Sequence, residues 1–175
     1  FQKARRAGTE CFYIGVESGN NTDLKLYNKK TSVDINQRAI RKIQDAGIHV
    51  GIGFICFNPF STHKQLLDNV QFIKSTHLGH VFYLLQTRLE VLPQSNMRKI
   101  LLKTGLADHL DYRTHFYDYR FKDPSIGELY EVIRSAYTMP PIYYMDTLLG
   151  MDRTFTYFKI EGAARTRIME LFQSL

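Results

Sequence analysis

The stretch HVGIGFICF, residues 49–57, decides the fold class, because nearly every position in it is apolar. A strand that is buried on both faces has this composition, and such strands occur in parallel sheets that helices cover. Pro59 ends the run. Earlier in the chain, the β-branched and aromatic run CFYIGVES (11–18) predicts a strand. Later in the chain, HVFYLLQTRLEV (80–91) predicts another.

Helices are predicted between these strands and after the last one, because each interval carries a capping signal. The chain therefore alternates strand and helix three times, with strands starting at residues 11, 49 and 80. That spacing is the length of right-handed β/α units, so we predict an α/β fold with three parallel strands. The signals are Thr31 with Asp34 and a final Gly47, then Thr62 with Gln65, then Pro93 with Ser95 and a final Gly105.

The pattern changes after residue 106, and we divide the chain there into two domains, 1–106 and 107–175. The segment HLDYRTHFYDYRFKDP (109–124) is aromatic and charged without a period. Beyond it, apolar residues return at helical spacing, which predicts a helical C-terminal extension. The expected helices are one capped by Ser125 and Glu128, one at 142–150 and one at 153–173.

Composition narrows the class of protein. The net charge is +6 and the pI is near 9.3, but the basic residues are scattered, which favours a solvated basic surface over nucleic-acid binding. No apolar run approaches the roughly 20 residues that cross a bilayer. We expect no membrane partner and a cytoplasmic location, since only two cysteines are present, as in a reducing compartment.

The two cysteines, Cys11 and Cys56, also limit the metal chemistry. They are too few for a disulfide scaffold, and their separation excludes a local metal motif. No metal ligand and no catalytic residue is therefore assigned. The chain opens with FQKARRAG, without Met or an apolar signal segment, which predicts a start inside a longer protein or after a trimmed tag.

Ligands of parallel β/α folds bind at the carboxyl ends of the strands, which directs attention to the ends of the predicted strands. At the first, Glu17 and Ser18 either accept hydrogen bonds from a sugar diol or brace the loop. At the second, the backbone of Ile55 and Cys56 either pairs with a purine edge, with Phe57 stacking on its face, or is only core. The thiol itself is expected to be a small buried apolar group rather than a nucleophile.

The third predicted strand ends in Gln86, Arg88 and Glu90. Because side chains alternate along a strand, Arg88 and Glu90 are expected to share a face at the mouth of the site. We assign these three residues to a substrate-facing set. A structural ion pair between the two charged residues is the alternative.

Several segments in order resemble the second half of the core domain of radical S-adenosylmethionine (radical SAM) enzymes. The similarity runs from about Gly8 to Leu106. It is greatest to members that carry a cobalamin-binding domain ahead of the core, described as Fe–S oxidoreductases. The segments are GVESGN (15–20), the set Leu26, Asn28 and Lys29, AI-K-QDAGI (39–48), and V-GFI-F-P-ST (50–62).

The resemblance implies a partial TIM-like (β/α)6 barrel, of which this chain supplies the second half. In the family, a CxxxCxxC loop holds a [4Fe–4S] cluster that binds S-adenosylmethionine, and reductive cleavage gives a radical that abstracts hydrogen from substrate. The implied positions are Glu17 and Ser18 at the ribose, Lys29 near the methionine carboxylate, Ile55, Cys56 and Phe57 along the adenine, and Gln86 and Arg88 toward cofactor or substrate.

Two departures from the family pattern limit what the chain is expected to do. Phe57 and Phe60 stand where many members have glycine and glutamate, which favours the cobalamin type. CxxxCxxC is absent. We therefore expect the chain alone to be inactive, with its N-terminal half missing and its small-molecule substrate unknown. The unpaired sheet edge that remains predicts a dimer.

Two other functions stay open from the sequence. One is a non-catalytic half-barrel that binds a nucleotide or a protein partner. The other is a different β/α enzyme whose cofactor needs no cysteines.

Overall fold

The computed structural model describes residues 1–78, 82–112 and 115–137, together with residues 162 and 166. The helices expected at 142–150 and 153–173 lie outside these residues, except for the two isolated positions. The described elements are α1 Gln2–Arg6, β1 Cys11–Glu17, α2 Asn21–Leu26, α3 Val33–Gln44, β2 His49–Phe54, α4 His63–Ser75, a 3₁₀ helix Phe82–Gln86, α5 Asn96–Thr104, β3 Ala107–Asp111, β4 Phe116–Tyr119 and α6 Pro124–Tyr137.

The first two strands pair in parallel, as the β/α alternation predicts. Cys11 lies opposite His49, and the register continues to Gly15 opposite Gly53. It then shifts, so that Glu17 lies opposite Phe54. One face of this pair packs on α3 and α4, where apolar residues of the sheet and of both helices form the main buried core. That core includes Val16, Ile40, Ile52, Phe54, Phe72 and Ile73.

Helix starts follow the predicted capping logic with two corrections. Thr62 and Gln65 form the expected capping box of α4, and Ser95 caps α5. The cap of α3 is Ser32 rather than Thr31, because the Ser32 hydroxyl accepts the Ile35 N–H while Thr31 donates to Asn36. The other correction concerns α6. It begins at Pro124, and the Asp123 carboxylate accepts from the backbone and hydroxyl of Ser125.

The strand predicted at 80–91 is mostly wrong. Residues 82–86 form a 3₁₀ helix, and parallel pairing with β2's continuation is confined to a bridge between Phe57 and Arg88. The Thr87 hydroxyl donates to the Leu84 carbonyl at 2.7 Å and closes the turn, while the Leu84 side chain is buried. An apolar run indicates that a segment is buried, but it does not distinguish a buried strand from a buried 3₁₀ helix.

The region predicted as a helical C-terminal extension begins with a β-hairpin. Strands β3 and β4 pair antiparallel, and Tyr117 bridges to Val91 of the preceding segment. Buried Tyr119 joins Val91, Met97 and Leu101 in a second apolar cluster. Period-2 alternation is too short in this charged segment to be recognised, whereas α6 follows the predicted helical pattern. No helix in the described part of the chain is long and apolar enough to span a bilayer.

Candidate functional site

The β1–β2 pair has a second face, opposite α3 and α4, which we call the open face. Alternation places on it Tyr13, Gly15 and Glu17 of β1 and Gly51 and Gly53 of β2. Tyr13 lies across both glycines of β2: a methyl group built on Gly51 would lie 3.0 Å from its ring, and one on Gly53 3.3 Å from its hydroxyl. At its glycines the open face therefore consists of backbone, and the large Tyr13 side chain lies on that backbone.

At the carboxyl end of the open face, the structure brings two predicted site residues together. The Lys29 ammonium lies 2.7 Å from Glu17 Oε1, and both side chains are partly exposed. A Cβ added to Gly15 would lie 2.8 Å from the same carboxylate oxygen and 3.8 Å from Lys29 Nζ. The ion pair thus sits directly over Gly15, and a side chain at this position would require the Glu17 carboxylate to move.

Local backbone geometry determines the positions of both residues of this ion pair. Glu17 has a φ of +67° at the point where the β1–β2 register shifts, a conformation that non-glycine residues seldom adopt. Lys29 follows Asn28, whose φ of +56° ends α2 in a left-handed turn. The Lys29 N–H then donates to the Leu24 carbonyl at 2.8 Å, as in a Schellman motif.

Ser18, which the sequence places beside Glu17, belongs to a buried polar network. Its side chain has no exposed surface, and its hydroxyl lies 3.0 Å from Asp23 Oδ2 and 2.9 Å from Asn69 Oδ1. The Gly19 N–H donates to that same Asn69 oxygen at 2.7 Å. The Asn69 amide donates to the Cys56 carbonyl at 3.0 Å. One side chain of α4 therefore links the ends of β1 and β2.

The buried Asp23 carboxylate is the centre of the network. Four donors surround it within hydrogen-bond distance, which is how a buried carboxylate is stabilised without a cationic partner. This network was not predicted from the sequence, although several of its members stand in GVESGN and in the segment 58–65. The donors are Ser18 at 3.0 Å, Asn20 at 2.7 Å, Asn58 at 3.0 Å and Gln65 at 3.1 Å.

At the second predicted tip, most backbone groups already have partners. The Ile55 N–H donates to the Glu17 carbonyl at 2.8 Å, and the Cys56 N–H donates to Thr87 Oγ1 at 3.1 Å. Phe57 is buried between Phe121 and Tyr130, with ring centroids 6.2 Å and 5.3 Å away. The Ile55 carbonyl has no donor among the described residues. Cofactor contacts by these residues stay a prediction.

Burial raises the pKa of the Cys56 thiol to about 12, and the nearby Asp23 charge adds to the effect. We therefore expect Cys56 to stay unreactive toward a disulfide reagent at pH 8, while the exposed Cys11 reacts at once. Because the folded pKa is raised, the protonated thiol contributes stability that is lost as pH rises from about 9 toward 12. Counting released chromophore in the native and the denatured chain tests this, and a Cys11→Ser chain isolates the buried thiol. Rapid reaction of both thiols in the folded chain would contradict it.

The predicted substrate-facing residues lie beside the hairpin. Arg88 pairs with Asp118 and lies over the Tyr119 ring at 4.4 Å, so its partner is Asp118 rather than Glu90. Burial alone would lower the pKa of Arg88, but Tyr119 and Asp118 together raise it, and the side chain stays charged. Glu90 is exposed, and Gln86 ends the 3₁₀ helix. Arg88 and Glu90 both line an open groove of about 570 Å³ against the hairpin.

The part of the chain that the structure describes contains no set of side chains suited to binding a metal ion. No group of three or more His, Cys, Asp and Glu side chains there could hold a metal ion. The full sequence has two cysteines, one exposed on β1 and one buried after β2. These residues do not fit an iron–sulfur cluster.

Comparison with curated proteins finds relatives of part of the chain, while no family model matches it. The 4'-phospho-dehydrooxetanocin synthase of Priestia megaterium is 39% identical over 71 residues, which are 40% of this chain and 10% of that protein. The putative methylthiotransferase MJ0865 of Methanocaldococcus jannaschii is 30% identical over 108 residues, which are 62% of this chain and 23% of that protein.

Solved structures of similar fold include the cobalamin-dependent S-adenosylmethionine radical enzyme OxsB, determined with aqua-cobalamin and with aqua-cobalamin plus S-adenosylmethionine. Each aligns with a TM-score of 0.70 at 18% identity and covers 99% of this chain and 34% of OxsB. The chain thus has a mixed α/β fold like part of OxsB and a distant similarity to cobalamin-dependent radical SAM enzymes. It spans about a third or less of these proteins.

Proposed function

We propose that the open face and its carboxyl end form the ribose and adenine side of an S-adenosylmethionine site in a radical SAM enzyme. The observation that carries the proposal is the Glu17–Lys29 pair held over Gly15, with Ile55 joined to the backbone of Glu17 by its N–H. These groups offer an acceptor for a sugar diol, a cation for a carboxylate and a backbone acceptor for an exocyclic amine. The distant similarity to cobalamin-dependent radical SAM enzymes supports the same ligand.

The residues of the open face fit this ligand sterically. Gly15, Gly51 and Gly53 let the Glu17 carboxylate and the Tyr13 ring lie close to the backbone, and a Cβ at any of the three would lie within 3.3 Å of one of these side chains. Because residue 15 has no side chain, the partly exposed Glu17–Lys29 pair lies close to the sheet, where a ligand at the carboxyl end of the open face can reach both charges. S-adenosylmethionine, when bound, supplies the adenosyl group for the chemistry of the full-length enzyme.

Each residue has a separate task in the proposed site. The Glu17 carboxylate accepts from the ribose hydroxyls, and the Lys29 ammonium attracts the methionine carboxylate as a point charge. Because a partly exposed ion pair is worth only about 0–1 kcal/mol, opening the pair for a ligand costs little. Ser18 holds the loop behind Glu17, and the Ile55 carbonyl accepts from the adenine amine. Cys56 and Phe57 support that backbone from the core.

The iron–sulfur cluster does not fit this chain, since two distant cysteines cannot supply three ligands. We therefore propose that the cluster, and cobalamin where it is used, are bound by other segments of a larger protein. The chain alone should bind the adenosyl ligand weakly and cleave nothing. In the described residues β1 has a neighbour on one side only, so we also propose that other strands or a second copy cover its free edge.

The test is calorimetric binding of S-adenosylhomocysteine to the chain. Replacing Glu17 with Gln keeps the shape of the side chain but removes its charge, so affinity should fall about tenfold, the value of a charge-assisted hydrogen bond. Glu128→Gln, an exposed carboxylate on α6, is the matched control and should bind as the unsubstituted chain does.

Two results would count against the proposal. Equal affinity in Glu17→Gln and the unsubstituted chain would remove Glu17 from the site. Adenosine binding as tightly as S-adenosylhomocysteine would remove Lys29 from ligand recognition, and would favour the non-catalytic nucleotide-binding module. The scarcity of cysteines is the observation that keeps this second function in view.

A further inference from the structure

We propose that Tyr13 is a further ligand-contacting residue of the same site, whose hydroxyl donates a hydrogen bond to the bound adenosyl ligand. This inference rests on the proposed function. Tyr13 is 73% exposed although it lies in the middle of β1, between two residues that face the helices. The ring therefore presents one whole side to solvent on the open face, on the same strand as Glu17.

Gly51 and Gly53 determine the position of the Tyr13 ring. Its Cδ2 atom lies 3.0 Å from the position that a Gly51 Cβ would take. Its hydroxyl lies 3.3 Å from the corresponding position at Gly53, and the Gly15 Cα is 3.7 Å from that same point. The ring therefore lies against the backbone of β2, and the hydroxyl points along the strands toward Gly15, where the Glu17–Lys29 pair sits.

The hydroxyl group has no partner in the described part of the chain, since no described residue forms a hydrogen bond with it. A phenol at the floor of a site offers one donor and one acceptor. Gly51 and Gly53 allow the ring to lie flat, so its other side is left for contact with the ligand. A side chain at Gly51 or Gly53 would displace the Tyr13 ring from the backbone of β2. This accounts for glycine at both of these alternate positions of the strand.

Tryptophan offers a direct test, because the chain contains none. A Tyr13→Trp chain carries a single indole on the open face. A Tyr112→Trp chain carries one on the hairpin, where the native tyrosine is 81% exposed, and serves as the control. Titration with S-adenosylhomocysteine should change the emission of the first chain saturably and leave that of the second unchanged.

A second variant isolates the hydroxyl group. Tyr13→Phe keeps the ring and should weaken S-adenosylhomocysteine binding about three- to tenfold in calorimetry, the usual effect of one neutral hydrogen bond. Unchanged affinity in Tyr13→Phe would overturn the inference while leaving the proposed function standing. So would emission of the Tyr13→Trp chain that follows protein concentration instead of ligand, because another copy would then cover the ring. Absence of binding in the unsubstituted chain would overturn the proposed function itself.

Discussion

Replacing Asn69 with alanine is expected to lower the free energy of unfolding by about 3–5 kcal/mol. The substitution removes one side chain but leaves two buried groups without their partner, the Gly19 N–H and the Cys56 carbonyl, while the Ser18 hydroxyl keeps its hydrogen bond to Asp23. Each unpaired buried group costs about 1–3 kcal/mol, because no water replaces the lost amide. Urea denaturation followed by far-UV circular dichroism measures the change.

Gln71→Ala is the matched control for this experiment. Gln71 is an amide two residues further along α4, but its side chain is exposed. Its replacement should change the free energy of unfolding by less than about 0.5 kcal/mol. Similar losses in both variants would mean that the Asn69 effect comes from the helix and not from the network.

Gly19→Ala is expected to be nearly as damaging, with a loss of about 3 kcal/mol. A Cβ at this position would lie 2.5 Å from the Phe72 Cβ and 3.0 Å from the Asn69 Cα. Those atoms belong to the body of α4, so no rotation of a side chain relieves the contact and the helix must move. The thermal midpoint of the folded chain and its urea midpoint should both fall.

Gly127→Ala in α6 provides the comparison for Gly19. There the added Cβ would lie 3.3 Å from an atom at the edge of the Phe121 ring, which can shift by a few tenths of an ångström. Alanine also gains up to about 1 kcal/mol over glycine in a helix. The net effect should stay within about 1 kcal/mol of zero, and an equal loss at both positions would contradict the packing argument for Gly19.

The parallel pairing of β1 with β2 was predictable because its signals are local. An apolar run between the helix-ending Gly47 and Pro59 identifies a buried strand at residues 49–57, and the alternation with helices predicts its direction. The 3₁₀ helix at 82–86 was not predictable in this way. Its apolar residues resemble a strand, and the turn is closed by the Thr87 hydroxyl, a contact that no periodicity encodes.

The same distinction between local signals and contacts distant in sequence applies to the candidate site. Glu17 and Lys29 were found separately, and their contact depends on the positive φ of Glu17 and on the left-handed turn at Asn28. The Asp23 network was missed because its members come from three segments of the chain, and Asn69 carries no motif of its own. Arg88 and Glu90 were expected to share a face, and both line one groove, but the hairpin that brings Asp118 to Arg88 has no clear signal in the sequence.

The Asn69 bridge also affects the motions of the chain. Its hydrogen bonds join the loop after β1, the backbone after β2 and the middle of α4, which are distant in sequence and must all be in place together. The loop therefore cannot open as a separate local fluctuation, and its protection against hydrogen exchange should approach that of global unfolding. If the proposed site is correct, its edge is preorganised in this way, and binding of a ligand should cost little conformational entropy.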